Sequence, residues 1–257
     1  MANPNYVRSH TIDRAQAAEI DAGLRAHMNK VYALMGGAMV ITALVSYIVG
    51  MDFKAAIAGQ PTALIPVGML ETMFTSPVRY IIMFAPLAMV FLFSMRLHKM
   101  SAGTANMVFW GFAALMGLSI SWIFAVFTGI SIAQTFMATA AGFGAMSLYG
   151  YTTKKDLSGW GRFLFMGVIG LIVASLLNMF FFESSAMHWA ISFLGVLIFA
   201  GLTAYDTQNI KNTYLQMRLS PEGEAWLDHA AISGALQLYL NFLNMFMFLL
   251  QFMGSQE

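Results

Sequence analysis

Seven stretches of this 257-residue chain are long, apolar and nearly free of charge: residues 31–49, 78–95, 105–128, 130–151, 163–182, 187–205 and 230–253. Arg79 is the one Asp, Glu, Lys or Arg in all seven. A bilayer core about 30 Å thick needs about 20 such residues per helix. The runs lack period-two alternation, so they read as helices rather than barrel strands. The third and fourth abut at Thr128-Gly129. They are split there because 105–151 is twice the length of a span and a glycine can turn the chain. Ser76-Pro77 reads as an N-cap followed by proline at the first helical position. The expected class is therefore an all-α membrane protein with seven transmembrane helices. Composition agrees: 59% of residues are hydrophobic, 10% are charged and the mean hydropathy is +0.69. Soluble domains carry about 25% charge, so a soluble enzyme, a nucleic-acid binder and a disordered regulator are excluded. Cysteine is absent, which removes disulfides, thiolate catalysis and Cys-ligated metals.

Charge distribution sets the expected orientation. Arg8, Arg14, Arg25, Lys30, Arg96, Lys99, Lys154, Lys155, Arg162, Lys211 and Arg218 fall on one side of the seven spans, and only Lys54 and Arg79 on the other. By the positive-inside rule the N-terminus is cytoplasmic and the C-terminus outside, in a multi-pass inner (plasma) membrane protein. The first 27 residues lack the apolar core of a signal peptide. Two units are expected: a cytoplasmic arm over residues 1–30 and a seven-helix membrane domain over 31–254. Within the arm, residues 11–28 read as a short amphipathic helix lying along the cytoplasmic face, with Ile12, Ile20, Leu24 and Met28 on its apolar side. The half-apolar loop over 51–77 rests on the outer surface and carries no assigned chemistry.

Polar residues inside a span need partners. In the last span Ser233, Gln237, Asn241, Asn244 and Gln251 fall on one stripe of a 3.6-residue helix, among Leu, Phe and Met. Such a seam either glues helices together or lines a polar pathway. Asp206 ends the sixth span, below Ser192, Gly195, Phe199 and Thr203 on the same face. A carboxylate at a helix C-terminus opposes the macrodipole, so Lys211, Arg96 or a cation is its expected partner. Gly167, Gly170, Ala174 and Asn178 form a small-residue face suited to close packing. His98 and His229 lie near the inner surface, where protonation is accessible. No span-seven lysine is available for a Schiff base, no histidine lies at membrane depth beside Ser119 or Ser121, and no His-Glu-x-x-His or phosphate-binding glycine loop is present. The reading is that the protein is not an enzyme and has no cofactor.

Three segments carry a family resemblance. Tyr149-Gly-Tyr-Thr-Thr-Lys-Lys-Asp-Leu-Ser158 with Gly161-Arg-Phe-Leu-Phe-Met166 is one. Ala204-Tyr-Asp-Thr-Gln-Asn-Ile-Lys211 and Ala235-Leu-Gln-Leu-Tyr-Leu-Asn-Phe-Leu-Asn-Met-Phe246 are the others. In order and on seven spans, they resemble the Bax inhibitor-1 family in a prokaryotic member, over roughly residues 25–254. The resemblance implies six helices around a central seventh and a proton-sensitive calcium leak. It also implies two carboxylates that share a proton to hold the gate shut, with an arginine competing for the first. Asp206 and Arg96 match those positions, but Asn241 stands where the second carboxylate belongs. Asn241 still hydrogen-bonds Asp206 on this reading, yet cannot share its titration. The expectation is a cation pathway of Asp206, Asn241, Asn244, Arg96 and Gln237, a weak calcium site at Asp206, and a blunted pH response with a lower midpoint. Calcium would be the permeant ion. Bacterial relatives also resemble modulators of the membrane AAA protease FtsH in membrane-protein quality control and stress response. That is the alternative, with the arm at 1–28 as the contact.

Overall fold

A computed structural model describes the backbone of residues 4–218, 220 and 223–255 and, among these, the side chains from residue 18 onward except those of His98 and Glu224. The helices are α1 (Pro4–Ile57), α2 (Val67–Phe74), α3 (Val78–Arg96), α4 (Ala102–Ile120), α5 (Ile123–Val126), α6 (Gly129–Thr152), α7 (Ser158–Leu177), α8 (Ser185–Arg218) and α9 (Leu227–Met253). Short 3₁₀ turns follow α3 and precede α9, and a π-helical turn, Asn178–Phe182, extends α7. No β-strand occurs among the described residues. Six helices are long and apolar enough to cross a membrane: α1, α3, α4 with α5, α7 with its π turn, α8 and α9. The seventh expected span, α6, has the length at 24 residues but is less apolar. Ser131, Thr135, Thr139 and Ser147 account for much of that, and all four face the interior.

The ends of the elements follow local chemistry. α1 stops in a Schellman arrangement: Gly59 is left-handed at φ +66°, its N–H donates to Ala56 O, and Gln60 N–H donates to Ala55 O. The loop beyond folds back because the Asp52 carboxylate accepts three backbone N–H groups, from Ala63, Leu64 and Ile65, at 2.7 to 2.8 Å. Ser76 Oγ accepts from Val78 N–H at 3.2 Å, so α3 begins one residue after the expected start. The α5–α6 break does not use glycine freedom. Phe127 and Thr128 are extended, Thr128 Oγ1 caps Ser131 N–H, and Gly129 is the first residue of α6.

Two further expectations change. The helix expected over 11–28 is the first part of α1, continuous with the first span instead of lying beside it. Its side chains before residue 18, including Ile12, Asp13 and Arg14, lie outside the described ones. From there on it docks on the ends of α8 and α9. Leu24 and Met28 are buried, Arg218 pairs with Glu19 at 3.1 Å, and Lys30 pairs with Asp228 at 2.6 Å. On α7, Gly161 and Gly167 do lie against α8, beneath Tyr205 and Ile198. Gly170 instead faces open space, and Asn178 Oδ1 caps Ser184 N–H.

The core centres on α9, which packs against α1, α4, α6 and α8, while α3 leans chiefly on α4 and α7 on α8. Tyr239 is wholly buried, edge-on to Phe109 and Phe112 of α4, with its hydroxyl 2.6 Å from Thr42 Oγ1 of α1. Thr42 in turn donates to Ala113 O at 2.8 Å. The helix ends sort into two faces. One joins Thr128 N–H to Ser255 O at 3.1 Å and Ser255 N–H to Ser131 Oγ at 2.9 Å, with Trp189 against Phe252. The opposite face holds the Lys30–Asp228 and Arg218–Glu19 pairs, and Gln208, which accepts from Leu157 N–H and donates to Lys155 O.

Candidate functional site

The interface of α8 and α9 brings Asp206 and Asn241 together. Asn241 Nδ2 donates to Asp206 Oδ2 at 2.6 Å. Asn241 is buried at 5% exposure, and Asp206 is mostly buried. Helix periodicity explains the pairing: Asp206 lies on the α8 face that α9 covers, and Asn241 lies at the middle of the α9 stripe. The neighbours of Asp206 in sequence turn elsewhere. Thr207 Oγ1 donates to Thr203 O and lies 3.0 Å from Ser147 Oγ, which is 2.6 Å from the Tyr32 hydroxyl. This hydroxyl chain ties α1, α6 and α8 together.

The stripe runs between two cavities. Ser233 and Gln237 line one of about 320 Å³ near the basic face, with His27, Ser94, Asn209 and His229. Two imidazole nitrogens there, His27 Nε2 and His229 Nδ1, are buried without a partner among the described residues. His229 Nε2 lies 2.8 Å from Met100 O. At the other end Gln251 lines a cavity of about 720 Å³ with Asn178, Glu183 and His188. Asn241 and Asn244 lie between them in sequence and on the same face. Asn244 Nδ2 donates to Leu240 O of its own helix at 2.8 Å, and Gln237 Nε2 to Ser233 Oγ at 3.4 Å. Neither amide reaches another helix through these bonds, and of the two Gln237 lines the cavity near the basic face.

The other expected partners of Asp206 sit apart from it. Arg96 is exposed at the end of α3, and no hydrogen bond or ion pair joins it to Asp206. α3 leans chiefly on α4, and a cavity lies between its end and α8. Lys211 Nζ donates to Tyr151 O at 3.0 Å. Among the described residues no group of three or more His, Asp or Glu is close enough to hold a metal ion. Sequence reasoning missed Asp52, Tyr239 with Thr42, and Tyr32 with Ser147. Only the last two carry a signal, as hydroxyls within apolar runs.

Fold and site define an α-helical integral membrane protein whose most buried helix carries a polar seam paired to one aspartate. Residues 24–257 match the family model "Inhibitor of apoptosis-promoting Bax1", and the chain belongs to this Bax inhibitor-1 family. It is 43% identical to the inner membrane protein YbhL of Escherichia coli over 237 residues, 92% of this chain and 94% of that one. A Caulobacter vibrioides protein is 40% identical over 255 residues, covering 99% and 98% of the two chains. A Rickettsia prowazekii protein is 39% identical over 237 residues. The chain is thus a multi-pass protein of the bacterial inner membrane type.

Proposed function

We propose that this protein is a calcium (or cation) leak of low, weakly pH-dependent conductance, gated where Asp206 meets Asn241, and that it is not an enzyme. The observation that carries the reading is the 2.6 Å Asn241–Asp206 hydrogen bond, set between two cavities on the one polar stripe of α9. On this reading α6 is the seventh span. It is about 36 Å long at 1.5 Å per residue, and it carries no Asp, Glu, Lys or Arg. α9 is the central helix, the N-terminus is cytoplasmic and the C-terminus outside. The contacts of Ser255 with Thr128 and Ser131, on the face opposite the basic ends, support an odd number of crossings. Asp206 supplies a single hard oxygen ligand pair for calcium, which prefers several carboxylates, so affinity is weak. Asn241 holds the carboxylate in place but has no proton to share. Arg96 serves as counter-ion only in a state that draws α3 towards α8.

The test is calcium flux into liposomes bearing the purified chain, from pH 5 to 8. Asp206→Asn is expected to abolish the flux. Asn241→Asp is expected to steepen its pH dependence by restoring a second carboxylate. Flux equal to that of empty liposomes in the parent and both variants would overturn the leak and favour the FtsH-modulator reading. That second reading draws on α1, whose length beyond any membrane span offers a partner a continuous helix. It predicts that deleting residues 1–22 abolishes crosslinking to the protease.

A further inference from the structure

α1 and α6 stand apart on the basic face, and the space between them is a groove of about 470 Å³. Each wall is one helical stripe. On α1 it comprises Arg25, Met28, Asn29 and Tyr32; on α6, Tyr151, Leu148, Ser147, Gly144 and Phe143. The 2.6 Å bond between the Tyr32 hydroxyl and Ser147 Oγ bridges the two walls. A Cβ on Gly144 would meet nothing within 4 Å, and the same holds for Gly36, one turn beyond Tyr32. The groove is therefore open beside Gly144, on one side of the Tyr32–Ser147 bridge.

Its polarity is graded. At the end level with the basic loops, Arg25 and Asn29 are exposed, and Lys211 Nζ stands 5.4 Å above the Tyr151 ring. No ion pair occupies Arg25 among the described residues. Lys30, one turn away, is held by Asp228. Deeper in, past the Tyr32–Ser147 bridge, the lining is Gly144 and Phe143. A ligand that fits has a negative head at the Arg25 end and a hydrocarbon tail along Phe143 and Gly144. Guanidinium pairs with phosphate through parallel hydrogen bonds, and basic side chains at a membrane surface favour anionic lipid.

We propose that the α1–α6 groove binds one anionic phospholipid from the leaflet on the basic face, with its phosphate on Arg25 and an acyl chain over Gly144. The site is independent of whether the protein conducts ions. Native mass spectrometry of the full chain, delipidated and offered phosphatidylglycerol or phosphatidylcholine, tests it. The parent should retain one phosphatidylglycerol about fivefold more tightly than phosphatidylcholine, the preference one basic residue near a membrane provides. Arg25→Ala should erase that preference. Lys30→Ala should leave it intact, since that charge faces Asp228. Gly144→Leu, entering open space, should expel both lipids while keeping the parent elution profile and melting temperature. Equal retention of the two lipids by the parent, equal losses in Arg25→Ala and Lys30→Ala, or full retention by a folded Gly144→Leu chain would each overturn the site. So would a parent dimer that Gly144→Leu splits, because a second copy would then fill the groove.

Discussion

Two hydrogen bonds of 2.6 Å leave α9 two residues apart and on different faces. Tyr239 reaches Thr42 on α1, and Asn241 reaches Asp206 on α8. The first joins neutral hydroxyls, and Thr42 donates its own hydrogen bond to Ala113 O. Tyr239 is wholly buried and ringed by Phe109 and Phe112. The second joins an amide to a carboxyl group that is mostly buried and can exist in two charge states. The same length thus serves two purposes. A neutral, enclosed pair contributes fixed cohesion. A pair containing an ionisable member next to polar cavities contributes cohesion that depends on conditions, which is what a gate requires.

The largest effect that separates the pairs is expected from Asn241→Leu. It removes the donor and leaves the Asp206 carboxyl against an apolar side chain. Stranding a buried polar group costs about 1–3 kcal/mol, more when it is ionised. Thermal unfolding in detergent should show a deficit that is greatest at pH 8 and smaller at pH 5, where a neutral carboxyl is cheaper to leave without a donor. A deficit of constant size across that range would mean that Asp206 keeps one charge state throughout, and the gate reading would lose its pH dependence.

Much of this site was legible in the sequence. Five polar residues at helical spacing on an otherwise apolar run mark the face of α9 that meets Asp206 and the two cavities, where only Asn241 of the five is buried, and the position of Asp206 at a span end marks it as needing a partner. The Asp206–Asn241 contact follows from the two motifs. The place of Arg96 was not legible, because a helix end says nothing about which neighbour the helix leans on, and α3 leans chiefly on α4. Asp52 was hidden for a different reason. Its role depends on a loop returning over the end of α1 to present three N–H groups, a long-range event without periodicity. The α1 reading failed at a boundary. An amphipathic stretch followed by an apolar one looks like two elements, but nothing between residues 28 and 31 breaks a helix, and the pairs to Asp228 and Arg218 hold it in line.

The opposite arm of the comparison is Tyr239→Phe. It deletes one hydroxyl and leaves Thr42 bonded to Ala113 O. Interhelical hydrogen bonds in membranes average about 0.6 kcal/mol and reach about 1.7. A loss in that range, the same at pH 5 and pH 8, is expected, with liposome flux within about twofold of the parent. A flux change as large as that of Asp206→Asn would show that the Tyr239 side of α9 also belongs to the pathway. Gln237→Leu sharpens the distinction further. Gln237 bonds only Ser233 on its own helix and lines the cavity beside His27. Its removal should lower flux several-fold with a stability change inside about 0.5 kcal/mol, the range for residues without cross-helix partners.

The smallest effect belongs to a second aspartate, which isolates the role of the membrane. Asp156 sits in the α6–α7 loop, where Ser158 N–H donates to its Oδ1 at 2.9 Å. Hydrogen bonds from the Ser158 side chain and then its backbone hold the Asp156 carboxyl below its ordinary range. The sign follows from linkage: a lowered native value stabilises the fold above the unfolded value, near pH 3.9, and that contribution disappears as pH falls through the native value. Asp156 is open to water, so screening keeps the effect slight. Asp156→Asn retains an oxygen for Ser158 but not the charge. Its melting temperature should trail the parent's by a small margin at pH 7, and the two should converge below about pH 3. Asn241→Leu should instead show its pH dependence between 5 and 8. If the Asp156 variant showed its pH dependence in that same range, the contrast between a solvated and a membrane-held carboxyl would not stand.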